Sequence, residues 1–531
     1  MKYSKKAFVL GLCACCLLSS HKLIYTVYGE IKQEQAEIRV EEGNVIIPDA
    51  QLQAAINQAL KQKGNANITK NQALKLAELN IENRGIQDLT GIEHFKNLKT
   101  LIADNNKINN ISPLEQLPNL RHLSLFHNEI ENIEPLGNLS ELISLNMSNN
   151  YIQNVEVLGK LTKLTSLNMG NNRIQNIDVL GQLLNLTYIN LEHNLIENIE
   201  VLGQLKSLEV VILNNNQLTN IDVLGKLIKL NYLELNHNKI EQIDCLEGLL
   251  NLDELHAEHN CITSIEWTKE LPRLYLLNLQ SNQLENVDFI QYTPRLNDLA
   301  LSSNKINNLD GVKYSKILNF LWLPNNQIKD IKPLRGLQLS SLVLDKNQIT
   351  NIEPLKDMTG LTYLGLSENK IKDIRFLPSC PYLEQLDLKG NPISNISGLY
   401  GIDKLFQLTL DLDKIKDQSS LYTLKQLQKV NGKQWKKASI SSKIKKEKKK
   451  MTVHLQDNRL YLHKKNKTKI KVNVKKGYYV VYGVKNNHIL SINKTTGTVI
   501  GKNVGTEKVY IHFYKGKQHI GYEAVEIQVK K

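Results

Sequence analysis

Asparagine recurs at positions 106, 128, 150, 172, 194, 216, 238, 260, 282, 304, 326, 347, 369 and 391, in steps of 22 residues with one step of 21 between Asn326 and Asn347. Around each Asn sits the same frame. The unit built on Asn172 carries Leu164, Leu167, Met169, Ile174, Ile177 and Leu180. A unit this short cannot bury its own apolar face, so successive units must stack into a solenoid with one continuous core. The alternation of Leu167 and Met169 reads as a short strand with two inward side chains. Strands of successive coils pair in parallel at ~4.7–4.9 Å, so thirteen steps give a ladder of roughly 60 Å. The Asn follows the strand at a tight bend, where buried backbone N–H and C=O groups without partners are costly. Its amide can both donate and accept, so the Asn column is expected to satisfy those groups coil after coil.

The form L-x-x-L-x-L-x-x-N-x-I/L at this period is the signature of leucine-rich repeats. The terminal coils are degenerate: Arg84 and Asp413 stand at ladder positions, while Leu76, Leu79, Ile81, Ile86 and Leu89 keep the frame at one end and Leu405, Leu408, Leu410 and Ile415 at the other. Before the first coil, Leu52, Ala55, Ile56, Ala59 and Leu60 have helical spacing after Pro48 and Asp49, which predicts an amphipathic cap ending at Gly64. The expected fold class is an α/β-type leucine-rich-repeat solenoid. It has a parallel sheet on the concave face, a short 3-10 or irregular convex side, a helical N-terminal cap and a C-terminal all-β sandwich. The expected organisation is a signal peptide over 1–29, the cap over 30–75, repeats over 76–416, a terminal helix and basic linker over 417–451, and the β domain over 452–531.

The N-terminus reads as a secretory signal, with Lys2, Lys5 and Lys6 before the apolar run 7–18 and a small-residue cleavage site near Gly29. A lipoprotein with Cys15 at its lipobox is the alternative. Three of the six cysteines lie in that segment; the others, Cys245, Cys261 and Cys380, form neither a disulfide framework nor a zinc motif. The absence of cysteine-rich caps favours a bacterial origin. Charge is divided unevenly. Residues 431–531 hold 25 basic and 5 acidic side chains, whereas 30–430 is acidic by ten charges, beneath an overall +14. Such asymmetry points to two kinds of partner.

Beyond a Lys-rich linker at 433–450, seven short strands are expected between Tyr461 and Val529. The basic tail either adheres to an anionic wall polymer of a Gram-positive cell or merely solubilises the chain. Aromatic residues are not interleaved with its lysines as single-stranded nucleic acid would require, so no specific nucleic acid partner is expected. No sortase-type motif is seen.

Ile108, Ile111 and Leu114 after Asn106, and Ile328, Ile331 and Leu334 after Asn326, give the coil a form that resembles the internalin family. The segment 46–60 is similar to that family's helical cap, and Leu89 to Glu93 to its first coil. Residues 489–511, with Gly497, Gly501, Val504 and Gly505, resemble the bacterial Ig-like group 2 domain. The resemblance implies a secreted or surface-associated binding protein whose concave face grips host proteins. The segment after the last coil departs from the internalin pattern, so no particular receptor is implied.

Outward strand positions lie six, four and two residues before each ladder Asn. Those columns contain Phe126, Tyr188, Tyr232, Phe320, Trp322 and Tyr363, aromatic residues with no core to fill and of the types enriched at binding hot spots. An acidic stripe, Glu192, Glu234, Glu254, Glu258 and Asp298, runs beside them with His256 and would steer a basic ligand. His193, His237 and His259 each precede a ladder Asn; repeat duplication accounts for them better than a metal site. No metal, cofactor or catalytic motif is expected. The expected function is a non-enzymatic, monomeric adhesin or host-interaction factor that binds a protein partner. The alternative is a structural envelope component without a specific host receptor.

Overall fold

The computed structural model describes residues 43–377, 380–435, 453–455, 461–474, 476–485 and 488–530. The expected signal 1–29 and the Lys-rich stretch 436–450 lie outside the described residues. No helix among the described residues is long and apolar enough to cross a membrane.

The N-terminal cap is built as its spacing predicts. Helix α1 (Ala50–Ala59) starts at Asp49, whose carboxylate accepts from the N–H groups of Gln51 and Leu52, and it buries Leu52, Ala55 and Ile56. A two-residue strand pair, Asn44–Val45 with Ile68–Thr69, and a single helical turn, Lys70–Ala73, complete the cover. Without it the apolar end of the first coil would meet water.

The solenoid follows. Its strands run from Glu78–Asn80 to Lys429–Val430, each paired in parallel with the next and in register at the expected 22-residue offset. Leu and Ile at the inward positions are almost wholly buried in one core continuous with the cap. On the opposite side most coils carry a short 3-10 segment such as Asp222–Lys226. Strands stack more closely than these thicker turns, so the strand side forms the inner, concave wall.

The ladder asparagines behave as their chemistry requires. Asn216 donates Nδ2–H to Leu213 O and Asn214 O of its own coil and to Leu191 O of the preceding coil, and its Oδ1 accepts from Ile196 N at 3.0 Å. The same pattern recurs from Asn106 to Asn369. The residue before each ladder Asn from 106 to 369 has φ between 51° and 58°. Asn and His tolerate that left-handed conformation better than most side chains. This accounts for His127, His193, His237 and His259 as turn residues.

One expectation is corrected. The segment from 417, expected as a terminal helix on the spacing of Leu421, Leu424 and Leu427, forms a further coil with a 3-10 segment Ser419–Thr423 and a strand Lys429–Val430 paired to Gln407–Thr409. Its residues repeat Leu399, Ile402 and Leu405 at an offset of 22. Three-residue spacing therefore marked the coil's convex path, and the buried leucines complete the solenoid core. A short antiparallel strand, Lys433–Gln434, closes this edge of the sheet.

Among the described residues the C-terminal part is all-β, with eight strands against seven expected. One sheet orders strands Val453–Leu455, Lys467–Val472, Thr498–Gly501 and Leu490–Ile492. The other orders Tyr461–His463, Gln518–Lys530, Gly505–Lys515 and Tyr478–Val484. Both contribute to one core around Ile470, Leu490, Val499, Ile511 and Phe513. This module packs on the last coils. Tyr400 stacks on Tyr510 with ring centroids 4.2 Å apart, and its hydroxyl bonds His512 Nε2 at 2.8 Å and Ser419 Oγ at 3.0 Å. Tyr422 stacks on His519, and Lys494 pairs with Asp417 at 3.1 Å. Burial pushes the His512 imidazole down to about 4, so it is neutral in this junction. These contacts involve the convex 3-10 segments of the last two coils and leave the concave strand wall open.

Candidate functional site: the concave wall

Because strands pair in register, side chains six residues before successive ladder asparagines form one row. Along it stand Tyr188, Val210, Tyr232, Glu254, Leu276, Asp298, Phe320, Ser341 and Tyr363. The adjacent row runs Asn190, Ile212, Glu234, His256, Asn278, Ala300 and Trp322. Phe320 and Trp322 thus share a strand, with Tyr363 two strands on, roughly 10 Å across Ser341. All three are half-buried against their neighbours. Phe126 stands apart, three coils before Tyr188, and meets the edge of His127.

The structure divides the acidic stripe in two. Glu234 is buried and fully engaged: Tyr232 Oη–H and Asn214 Nδ2–H both donate to it. Glu258 accepts from Asn278 at 2.8 Å, and Glu192 from Asn190 at 3.3 Å. Tyr232 and His256, expected as open surface, are also buried, at 9% and 5% exposure, because each ring covers the other across neighbouring strands with centroids 5.7 Å apart. Glu254 and Asp298 are the less engaged pair. His256 Nε2 lies 3.6 Å from Glu254, beyond hydrogen-bond length, and is buried with no hydrogen-bond partner.

Burial and nearby carboxylates shift several groups. The Tyr188 and Tyr363 hydroxyls are each pushed up to about 12, chiefly by burial. Burial, then the charge of Glu254, pushes the Asp298 carboxyl up to about 6. Its folded-state value lies above the ordinary ~3.9 of an unfolded chain. Its contribution to stability is therefore present below pH ~4 and is lost as pH rises through about 6. Asp298→Asn is expected to raise the unfolding midpoint at pH 7.5 and to leave it nearly unchanged at pH 4. An equal shift at both would contradict this assignment.

The sequence columns did not bring out Tyr275, which precedes the first outward position of its strand by one residue. Its ring is 45% exposed beside Leu276, and its hydroxyl donates to Asn297 Oδ1 at 3.1 Å. The aliphatic Val210, Ile212 and Leu276 are also half-buried in the outward rows, where an aromatic criterion alone does not select them. An outward column read for any large side chain, including the residue just before the strand, would have found all four.

Among the described residues no group of three or more His, Cys, Asp or Glu side chains could hold a metal ion. His237 and His259 stack on one another at 4.3 Å, as same-position residues of adjacent coils do. Cys245, Cys261 and Cys380 are free thiols. Burial pushes Cys245 up to about 12 and Cys380 up to about 11, which leaves neither nucleophilic near neutral pH.

The family model for leucine-rich repeats in two copies matches residues 118–160, 162–204, 206–248, 337–379 and 359–401. Among solved structures, an internalin (InlF) of Listeria monocytogenes is 29% identical, with 64% of this chain and 95% of that chain covered at a TM-score of 0.56. A leucine-rich-repeat protein of Leptospira interrogans is 25% identical over 64% and 94%, with a TM-score of 0.55. The functional domain of InlJ from Listeria monocytogenes, described as including a cysteine ladder, shares the fold at 16% identity over 91% and 97%, with a TM-score of 0.53. No curated protein matches the chain.

Proposed function

We propose that this internalin-like leucine-rich-repeat protein is a non-enzymatic adhesin or host-interaction factor that grips a protein partner on its concave wall. The observation that carries the reading is the aromatic surface made by Phe320, Trp322 and Tyr363, in register on a wall that the C-terminal module leaves open. Half-exposed aromatic side chains on a rigid scaffold supply contact area at low entropic cost, and Trp and Tyr are enriched at binding hot spots. Leucine-rich-repeat folds are in general protein-binding modules, and the internalin likeness supports a place at or outside a bacterial cell surface.

The C-terminal module we read as a bacterial Ig-like domain, supported by its two four-stranded sheets and single core. Residues 431–531, with 25 basic against 5 acidic side chains, supply the charge to associate with an anionic wall polymer. Exposed charges are screened within about 3 Å at 1 M salt. Washing cells with 1 M sodium chloride is therefore expected to release the protein, and retention at that salt would contradict charge-based attachment.

The deciding experiment is capture of solubilised host-cell surface proteins by the full chain and by its Trp322→Ala variant. A saturable protein partner that depends on Trp322 is expected. Binding to wall polymer alone, unaffected by Trp322, would instead support a structural envelope component.

A further inference from the structure

The concave wall is one-signed over a long stretch. At the outward positions from Tyr188 to Ser302 there are five carboxylates and no lysine or arginine. Three of these, Glu192, Glu234 and Glu258, accept hydrogen bonds from their own neighbours. The two that face the row with few internal partners, Glu254 and Asp298, stand two strands apart, roughly 10 Å, on either side of Leu276. Tyr275 lies at the strand edge beside Leu276. Behind Glu254 is a polar atom with nothing to bond, His256 Nε2, on a side chain 95% buried and directed at the carboxylate from 3.6 Å.

Two carboxylates flanking an aliphatic floor beside an aromatic ring form a complementary surface for a long cationic side chain. The methylene stem of lysine or arginine packs on apolar surface while its charged head seeks carboxylates. A tyrosine face adds a further attraction for the cation. We propose that Glu254 and Asp298, over Leu276 and Tyr275 and beside the buried His256, form a seat for one lysine or arginine side chain of a protein partner. The inference rests on the concave wall being the binding surface and names the chemistry that this part of it recognises.

Negative charge is crowded at this seat. Asp298 is held up to about 6 by burial and by Glu254, and the Tyr275 hydroxyl is raised by burial and by both carboxylates. The other groups around Asp298 carry no charge: Leu276 and Ala300 on the wall, Asn297 before it, and Asn319 and Phe320 from the following coil. A bound cation would relieve this strain, so its binding should strengthen as pH rises through 6. An opposite charge placed within ~4–6 Å moves a carboxylate by one unit or more, and one unit corresponds to about tenfold in affinity.

The test measures binding of hexalysine, and of hexalysine with every side-chain amine acetylated, to the full chain by calorimetry at pH 7.5 and pH 5. Expected are binding of the free-amine peptide only, about tenfold weaker binding by Glu254→Gln at pH 7.5, and a fall of about tenfold from pH 7.5 to 5 that shrinks in Asp298→Asn. Protonation of histidines contributes equally in both chains, so the comparison of the two pH ratios isolates Asp298. Asp298→Asn is expected to fold at least as stably as the parent, so a folding defect in Glu254→Gln leaves it as the decisive variant. Equal affinity of the parent and Asp298→Asn at both pH values would overturn the seat. A protein partner that needs Trp322 but is indifferent to Glu254 and Asp298 overturns the seat alone, whereas a partner indifferent to all three overturns the concave reading with it.

Discussion

Replacing Asn216 with alanine is expected to destabilise the solenoid by about 3 kcal/mol or more, measured as a lower denaturant midpoint. The magnitude follows from what the amide satisfies. Ile196 N–H donates to Asn216 Oδ1, and Ile196 itself is wholly buried in the core. A buried donor left unpaired costs about 1–3 kcal/mol. The carbonyls lose less, because each strand-end carbonyl is shared: Leu191 O accepts from both Asn194 and Asn216. Those lost bonds add about 1 kcal/mol each. Asn220→Ala is the matched control. Asn220 is exposed, and its Oδ1 accepts from Asp222 N in a turn that water can reach. Its replacement is expected to cost no more than about 1 kcal/mol. In a stack of repeats each coil contacts mainly its neighbours, so hydrogen exchange in the Asn216 variant should rise first in the coils spanning 188–238. Equal losses from the two substitutions would mean that the Asn column is decorative.

Trp322→Ala is expected to weaken capture of the protein partner by about 2 kcal/mol or more, close to thirtyfold, with no comparable loss of fold. The side chain stands on the open wall between Ala300 and Val343, away from the inward leucines that hold the coil. Phe126→Ala is expected to matter less. Phe126 lies several coils from the Phe320, Trp322 and Tyr363 surface and packs on His127 instead. An unchanged affinity for Trp322→Ala would move the binding surface elsewhere on the molecule.

The parts of this molecule that were legible in its sequence are those set by the 22-residue period. Inward Leu167 and Met169, ladder Asn172 and the Asp49 helix start are each decided by neighbours within one coil, and the structure holds them where spacing placed them. Leu421, Leu424 and Leu427 were misread because three-residue steps serve both an amphipathic helix and the convex path of a coil; the 22-residue offset from Leu399 was the discriminating sign. The docking of the C-terminal module had no local signal. Tyr400 and His512 meet across 112 residues of sequence. On the wall itself, periodicity located every column but could not show which charges are spoken for. Glu234 and Glu254 occupy neighbouring coils, yet one is buried under Tyr232 and Asn214 while the other stays open, a difference fixed by side-chain reach between strands.

Oxidative footprinting of the full chain with its captured partner tests the central claim most directly. Protection of Phe320, Trp322 and Tyr363 is expected, with Tyr382 and Tyr479, exposed at 59% and 46% away from the strand wall, labelled equally in both states. Protection at Tyr382 or Tyr479 with Trp322 still fully labelled would contradict it.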